Sequence, residues 1–195
     1  RPDEHELYDL PQVSDERATV YEHCLRALRR AATTGTRGLP LIGIGDWNDG
    51  MNRIGHQGRG ESVWLAWLLC QVVAEFLPIA QTRGDGERVA RWTAARKGWI
   101  QALETQAWDG RWYRRAYFDD GSPLGSVQND ECKLDSLTQS WAVLSGAAQP
   151  RRAERAMNAV RTNLVRRDAQ LVLLLTPPFD RMGRDPGYIK GYLPG

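Results

Sequence analysis

Residues 45–52 read GDWNDGMN, and the rest of the chain is organised around this short stretch. An apolar run at residues 39–44 leads into it, and a second set of glycines at residues 55–60 follows it. Because glycine lets the backbone turn sharply, neither a regular strand nor a long helix is expected here. The stretch predicts a rigid polar loop between ordered elements, where binding and catalytic residues concentrate.

The side chains of this loop suit a carbohydrate ligand. The carboxylate of Asp46 and the amide of Asn52 are groups that bind sugar hydroxyls. The indole of Trp47 has the apolar face needed to cover a sugar ring. Asp and Asn side chains also cap their own backbone in tight turns, so the residues by themselves leave a sugar site and a structural turn open.

Composition limits the classes of protein to consider. The chain has 195 residues, enough for one domain with a sizeable core, and its net charge of +2 is too small to indicate nucleic acid binding. Cys24, Cys70 and Cys132 are far apart and form no C-x-x-C pair, which predicts reduced thiols and no zinc or other metal site. Reduced thiols favour a cytoplasmic location.

Helical spacing of apolar residues predicts an all-α fold. Helices are expected at residues 14–34, 63–77, 85–108, 133–145 and 150–164. Residues 111–118 are expected to be extended, and residues 171–175 to form a strand or a short buried run. Residues 63–77 are apolar almost all round, which predicts the inner helix of a layered fold built from antiparallel helix pairs with their long loops at one end.

Several separate motifs resemble glycoside hydrolase family 94, the inverting disaccharide and oligosaccharide phosphorylases. The resemblance is carried by residues 39–52 and 58–65, by AWDGRWYRR at 107–115, and by ECKLDS and QSW at 131–136 and 139–141. The tail segments TPPFD at 176–180 and DPGYIKGY at 185–192 are similar to one branch. That branch is the C-terminal phosphorylase-like module of cyclic beta-1,2-glucan synthases, with the related oligoglucan phosphorylases.

The resemblance implies a specific fold and chemistry. Residues 1–195 would be a single-domain fragment of an (alpha/alpha)6 barrel, with the active site at its loop end. The family's general acid corresponds to Asp49, and Trp47 matches a residue that contacts the sugar at the cleaved bond. Inorganic phosphate is the expected co-substrate, with no other cofactor. The family's phosphate-binding residues are expected beyond Gly195.

The remaining site residues are assigned by their chemistry. Asp46 and Asn52 are expected to position the loop or bind hydroxyls, while Glu131 and Gln139 are candidates for further substrate contacts. Asp135 fits either a sugar contact or, preferably, a helix N-terminus, and Gln139 also fits helix-face packing. Arg114 and Arg115 could contact phosphate, but an exposed hairpin face is the favoured location for both. The predicted partners are a beta-glucan or oligosaccharide and the rest of the parent polypeptide, which the resemblance suggests is anchored in the inner membrane.

Two other functions fit the same residues. An inverting glucoamylase-like hydrolase would use Glu61, Glu131 or a residue outside this chain as its base. A non-catalytic module of a larger synthase would bind glucan without cleaving it. In either case a half-barrel would leave the apolar flanks of its inner helices exposed, which predicts instability or aggregation of the isolated chain.

Overall fold

Helices carry the fold. The computed structural model describes residues 10–181 and 183–192. Its α-helices are α1 (Val20–Ala31), α2 (Val63–Thr82), α3 (Gly86–Ala102), α4 (Ser136–Leu144) and α5 (Pro150–Asn163). A π-helical turn at Leu103–Ala107 extends α3, and two 3-10 turns lie at Asp49–Met51 and Tyr188–Gly191. The predicted helical class is therefore confirmed.

The strands are short and lie between the helices. They are β1 (Glu61–Ser62), β2 (Ala116–Tyr117), β3 (Pro123–Leu124), β4 (Leu134–Asp135), β5 (Val165–Arg166), β6 (Leu171–Val172) and β7 (Leu175–Thr176). All pairings are antiparallel, in a three-stranded sheet β1-β2-β3 and two pairs, β4-β7 and β5-β6. The first sheet joins the N-terminus of α2 to the extended segment that was predicted at residues 111–118.

Helix α1 is shorter than predicted at both ends. Its N-cap is Thr19, whose hydroxyl accepts a hydrogen bond from the Glu22 amide at 3.2 Å, whereas the predicted cap Ser14 lies outside the helix. A T-x-x-E sequence at 19–22 is the signature of a capping box and locates this start. The helix ends before residue 34 because Thr33 and Thr34 pair with residues 40–41 in an extended ladder.

Helix α2 is the central helix. It continues through Pro78 to Thr82, five residues beyond the predicted end. Its length and hydropathy alone would let it cross a membrane, but half of its most apolar window is buried against the rest of the domain. Side chains such as Trp67 and Val73 are fully buried in the main core together with residues of α1, α3 and α4. It is thus the inner helix that the sequence predicted.

Helix α4 begins three residues later than predicted. Leu134 and Asp135 form β4, which pairs with Leu175 and Thr176, and Asp135 then caps the helix. The predicted strand or buried run at 171–175 is divided between two strands, and Leu171 and Val172 of β6 are exposed.

A second hydrophobic cluster lies beneath the loops. Its buried members come from the polar loop and its surroundings: Ile42, Met51, Ile54, Ala116, Phe118, Leu124, Cys132, Phe179 and Ile189. Met51 and Ile54 have no exposed surface, so the loop at 45–52 is anchored from below by apolar packing.

Candidate functional site

The loop at residues 45–52 is a tight, internally bonded turn. Gly45 has a φ of +133°, a backbone conformation that residues with a Cβ rarely adopt. The side chain of Asn48 accepts a hydrogen bond from the Gly50 amide at 3.0 Å and so caps the 3-10 turn that carries Asp49. The predicted rigid polar loop is confirmed, and part of its rigidity is the self-capping that the sequence left open.

Asp46 holds the loop in place. Its carboxylate accepts two hydrogen bonds from the Arg115 guanidinium, both at 2.7 Å, one from the Ser62 hydroxyl at 2.6 Å and one from the Asn48 amide at 3.2 Å. The side chain has no exposed surface. This geometry favours the positioning role of Asp46 over hydroxyl binding.

The electrostatics of Asp46 agree with this role. Burial alone raises the pKa of the Asp46 carboxyl. The Arg115 charge and the hydrogen bonds from Arg115, Ser62 and Asn48 outweigh burial, so the pKa lies below its usual value. Asp46 is therefore an ionised carboxylate held by its hydrogen-bond donors. This state suits a residue that positions the loop better than one that donates a proton.

Arg115 is the residue whose placement the sequence predicted wrongly. It was expected on an exposed hairpin face, but it is completely buried between Asp46 and Asp135. Its Nε lies 3.7 Å from the Asp135 carboxylate. A buried guanidinium needs carboxylate partners, and both of them come from distant segments that no local pattern connects to it.

Asp135 occupies the expected helix N-terminus. It accepts hydrogen bonds from the amide and the hydroxyl of Thr138 at 2.8 and 3.0 Å. Burial raises its pKa, and the Arg115 charge and the Thr138 hydrogen bonds only partly oppose that rise. The capping role predicted for Asp135 is confirmed.

Asp49 differs from these carboxylates because it is exposed. It lies at the first position of the 3-10 turn, three residues after the anchored Asp46. Within the described part of the chain, its side chain makes no hydrogen bond or ion pair. A carboxyl group held on a rigid turn and open to solvent is available to an incoming ligand.

Trp47 lies two residues before Asp49 in the loop and is 45% exposed. Its ring centroid is 6.5 Å from that of Trp64, which is in turn 6.1 Å from that of Trp141. Edge-to-face contacts of this kind hold rings in fixed orientations. The exposed indole is therefore a supported apolar surface in the same loop as the exposed carboxyl group.

Asn52 connects the loop to the segment at residues 185–192. Its side-chain oxygen accepts a hydrogen bond from the Tyr188 amide at 3.4 Å. Gly187 approaches so closely that a Cβ there would lie 2.1 Å from that oxygen, and a Cβ on Gly50 would lie 2.9 Å from Ile189. Asn52 thus takes part in holding two loops together, which is the positioning alternative predicted for it.

Glu131 and Gln139 lie apart from this loop. Glu131 is buried, accepts a hydrogen bond from the Arg181 amide, and lines a cleft of about 270 Å³ whose lining includes no residue of the 45–52 loop. Gln139 is fully buried; its amide accepts from the Tyr113 N–H at 2.9 Å and donates to the Tyr113 and Asp135 carbonyls. Its polar atoms are used within the core, which favours the packing alternative predicted for Gln139 over the substrate contact.

Glu61 is a further residue with an unexpected role. Named from the sequence only as a candidate hydrolase base, it belongs to β1 and is fully buried. Its carboxylate accepts hydrogen bonds from the amides of Arg37 and Leu39 at 3.0 and 3.2 Å, and pairs with the Arg37 guanidinium at 3.1 Å. Glu61 thus holds residues 37–39, which lead into the polar loop, in place.

Comparison with known proteins identifies the family. Residues 2–195 match the model of the catalytic domain of the glycosyl hydrolase 94 superfamily, and the chain belongs to this family. Within it, the chain is 51% identical over 193 residues to the cyclic beta-(1,2)-glucan synthase NdvB of Rhizobium meliloti (strain 1021). That alignment covers 98% of this chain and 7% of the relative.

Two phosphorylases of Paenibacillus borealis are also similar. A 3-O-beta-D-glucopyranosyl-beta-D-glucuronide phosphorylase is 38% identical over 75% of this chain and 19% of its own length. A solabiose phosphorylase is 35% identical over 95% of this chain and 24% of its own length. The chain therefore spans a quarter or less of the length of these relatives.

Proposed function

We propose that this chain is part of an enzyme that cleaves a beta-glucosidic bond, most specifically in a beta-1,2-glucan, by inverting phosphorolysis. Asp49 is the general acid in this proposal. An oxygen of inorganic phosphate bonds to the anomeric carbon as the glycosidic C–O bond breaks, and Asp49 gives its proton to the departing oxygen. The proton that phosphate loses restores the acid, and the products are a shortened glucan and alpha-glucose 1-phosphate.

The observation that carries the proposal is the contrast between Asp49 and Asp46 in one loop. Asp46 is buried and bonded at both oxygens, whereas Asp49 is exposed on a capped turn, two residues after the half-exposed Trp47. A phosphorolytic site needs one carboxylic acid, because phosphate is itself the nucleophile. The loop offers one such group and, two residues away in sequence, an apolar surface suited to a sugar ring.

The hydrolase alternative has less support. An inverting hydrolase needs a second carboxylate, roughly 6.5–9.5 Å from the acid, to activate water. Glu61 and Glu131 were the candidates in this chain, and both are buried with their carboxylates bonded to backbone amides. Both oxygens of Glu61 are bonded within the protein, and Glu131 lines a cleft that includes no residue of the 45–52 loop, which disfavours each of them as the base opposite Asp49.

The finer architecture is also proposed. In this proposal α2 to α5 are antiparallel pairs of an (alpha/alpha)6 barrel, with the polar loop at the end that gathers the long connections; the packing of α2 on α3 and of α4 on α5 supports it. As the family resemblance implies, the phosphate-binding groups are proposed to lie in the rest of the parent polypeptide.

Product analysis of the full-length protein tests the proposal. Beta-1,2-glucan oligomers are incubated with and without inorganic phosphate, and anomers are followed by proton NMR. We expect alpha-glucose 1-phosphate to form only when phosphate is present. Its rate of formation should fall by about 10²- to 10⁴-fold in Asp49→Asn. Free glucose released without phosphate favours the hydrolase, and normal turnover by Asp49→Asn rejects the assigned acid.

A glucan-binding module is the second candidate. It is favoured by the 51% identity to a glucan synthase, since the identity to the two phosphorylases is lower. Calorimetric titration of beta-1,2-glucan oligomers into the wild-type protein and Asp49→Asn separates the two functions. Equal binding by both proteins with no turnover by either supports the module.

A further inference from the structure

Granted the acid role of Asp49, on which this inference rests, we propose that Arg115 is a positioning residue for catalysis. It acts through Asp46 to hold the loop at residues 45–52, here called the acid loop, in a fixed position and orientation relative to the core. Arg115 has no exposed surface and therefore contacts no substrate itself. Its role follows from two sets of contacts: the guanidinium binds Asp46, and the backbone bonds to Leu124 and Val63.

The guanidinium joins the acid loop to the core. Two of its nitrogens donate to the two oxygens of Asp46, both at 2.7 Å, which fixes the plane of that carboxylate as well as its position. One of these oxygens also accepts the Asn48 amide. Only two hydrogen bonds thus separate the arginine from the backbone that leads directly into Asp49.

Arg115 is itself held rigidly. Its amide donates to the Leu124 carbonyl at 2.8 Å, and its carbonyl accepts from the Val63 amide at 3.2 Å at the start of α2. Gly125 packs so closely that a Cβ there would lie 2.3 Å from the Arg115 amide nitrogen. The arginine is therefore a fixed reference point for the loop.

The same cluster ties the loop to two helix N-termini. The Ser62 hydroxyl donates to Asp46 at 2.6 Å and caps α2 by accepting from the Leu65 amide at 3.0 Å. Asp135, 3.7 Å from the Arg115 Nε, caps α4. A shift of either helix start is thereby transmitted to the loop through charged and hydrogen-bonded contacts.

Lysine cannot replace this arrangement. It keeps the positive charge but has a single nitrogen, so it cannot hold both oxygens of Asp46 in one plane. A general acid must lie within hydrogen-bond reach of the leaving oxygen, and a misplacement of about 1 Å costs about 10²-fold in rate. Arg115→Lys should therefore slow proton transfer from Asp49 while leaving the charge balance of the core intact.

The test compares two substrates in the full-length enzyme with phosphate present. Cleavage of a glucan oligomer needs a proton on the leaving oxygen, whereas beta-glucosyl fluoride loses fluoride without one. Arg115→Lys should lower kcat on the oligomer by about 10²-fold and leave the rate on the fluoride close to the wild-type value. Both rates scale with the folded fraction of the enzyme. The ratio of the oligomer rate to the fluoride rate therefore measures proton donation by Asp49 even if the variant is partly unfolded.

Arg152→Lys is the matched control. Arg152 pairs with Glu104 at 2.6 Å and is partly buried, and among the described residues its polar and ring contacts are with Glu104 and Trp108, outside the acid loop. Its replacement should lower the melting temperature without changing the ratio of the two rates. An Arg115→Lys enzyme that loses both activities in equal proportion, or neither, overturns the positioning role.

The failure of this inference is distinct from the failure of the proposed function. If Asp49→Asn retains its activity on the oligomer, the acid assignment itself is wrong. If Asp49→Asn loses activity on the oligomer but keeps it on the fluoride, while Arg115→Lys keeps both, only the role of Arg115 is wrong. Combining the two substitutions gives a further check, because two residues that act on one proton transfer should not show additive losses.

Discussion

Arg115 and Asp46 form a bidentate ion pair in which both N–O distances are 2.7 Å and neither side chain exposes any surface. The partners are 69 residues apart in the chain. The pair fixes the loop that carries Asp49 to the sheet and helices below it, so stability and the geometry of the site depend on the same contact.

This pair predicts a pH-dependent loss of stability. The pKa of Asp46 is lower in the folded state, so its stabilising effect is present above the unfolded pKa of about 3.9 and is lost as the pH falls through the folded value. Asp46→Asn should cost about 3 kcal/mol at pH 7. The difference in melting temperature from the wild type should narrow below about pH 4.

Calorimetric melts of both proteins from pH 3 to pH 8 measure that difference. Glu16→Gln is the control, because Glu16 pairs with Arg26 at the surface, where ion pairs contribute little. A difference between wild type and Asp46→Asn that is constant with pH would contradict the assigned charge state.

Close packing of the segment 185–192 on the acid loop predicts a strong effect of Gly187→Ala. The Cβ would overlap the Asn52 oxygen at 2.1 Å, and the φ of +116° is unfavourable for alanine. We expect lower thermal stability and a lower kcat on glucan oligomers. Gly191→Ala, where a Cβ meets nothing within 4 Å, should behave like the wild type; equal effects of the two substitutions would rule out the packing argument.

Exposure of Trp47 predicts a larger effect on substrate binding than on stability. Because Trp47 is 45% exposed but contacts the Trp64 ring, Trp47→Ala should lower the melting temperature only modestly. Removal of the ring should raise KM for glucan oligomers about tenfold, equivalent to about 1.4 kcal/mol. Steady-state kinetics of Trp47→Ala and Trp47→Phe measure it, with partial recovery expected for phenylalanine; an unchanged KM in both variants removes Trp47 from the site.

An open apolar groove between α1 and α2 predicts self-association of the isolated chain. The groove has a volume of about 410 Å³, and Val72 and Ile79 on its rim are 36% and 53% exposed. Exposed patches of this kind promote aggregation. The double substitution Val72→Gln, Ile79→Gln should reduce dye binding and aggregation measured by light scattering, whereas Val172→Gln, at an exposed position outside the groove, should not. A monomeric isolated chain that binds no dye would contradict the prediction.

Local sequence was enough to locate most helices and the candidate site. The apolar spacing of residues 63–77 gave the inner helix, because helical periodicity depends on neighbours within a few positions. Asp135 was expected at a helix N-terminus, and the glycines around residues 45–52 predicted a rigid loop. Boundaries were less accurate: α1 begins at the cap formed by Thr19, and α4 loses its first turn to the pairing of β4 with β7.

The sequence by itself determined the helical class, the family and the loop that bears Asp49, because each depends on patterns of residues that are close together in the chain. Only the tertiary structure decided that Arg115 is buried against Asp46 and that Gln139 bonds to Tyr113. A charged or amide side chain stays in solvent unless the fold supplies hydrogen-bond partners that offset the cost of burial, and here those partners lie 69 and 26 residues away.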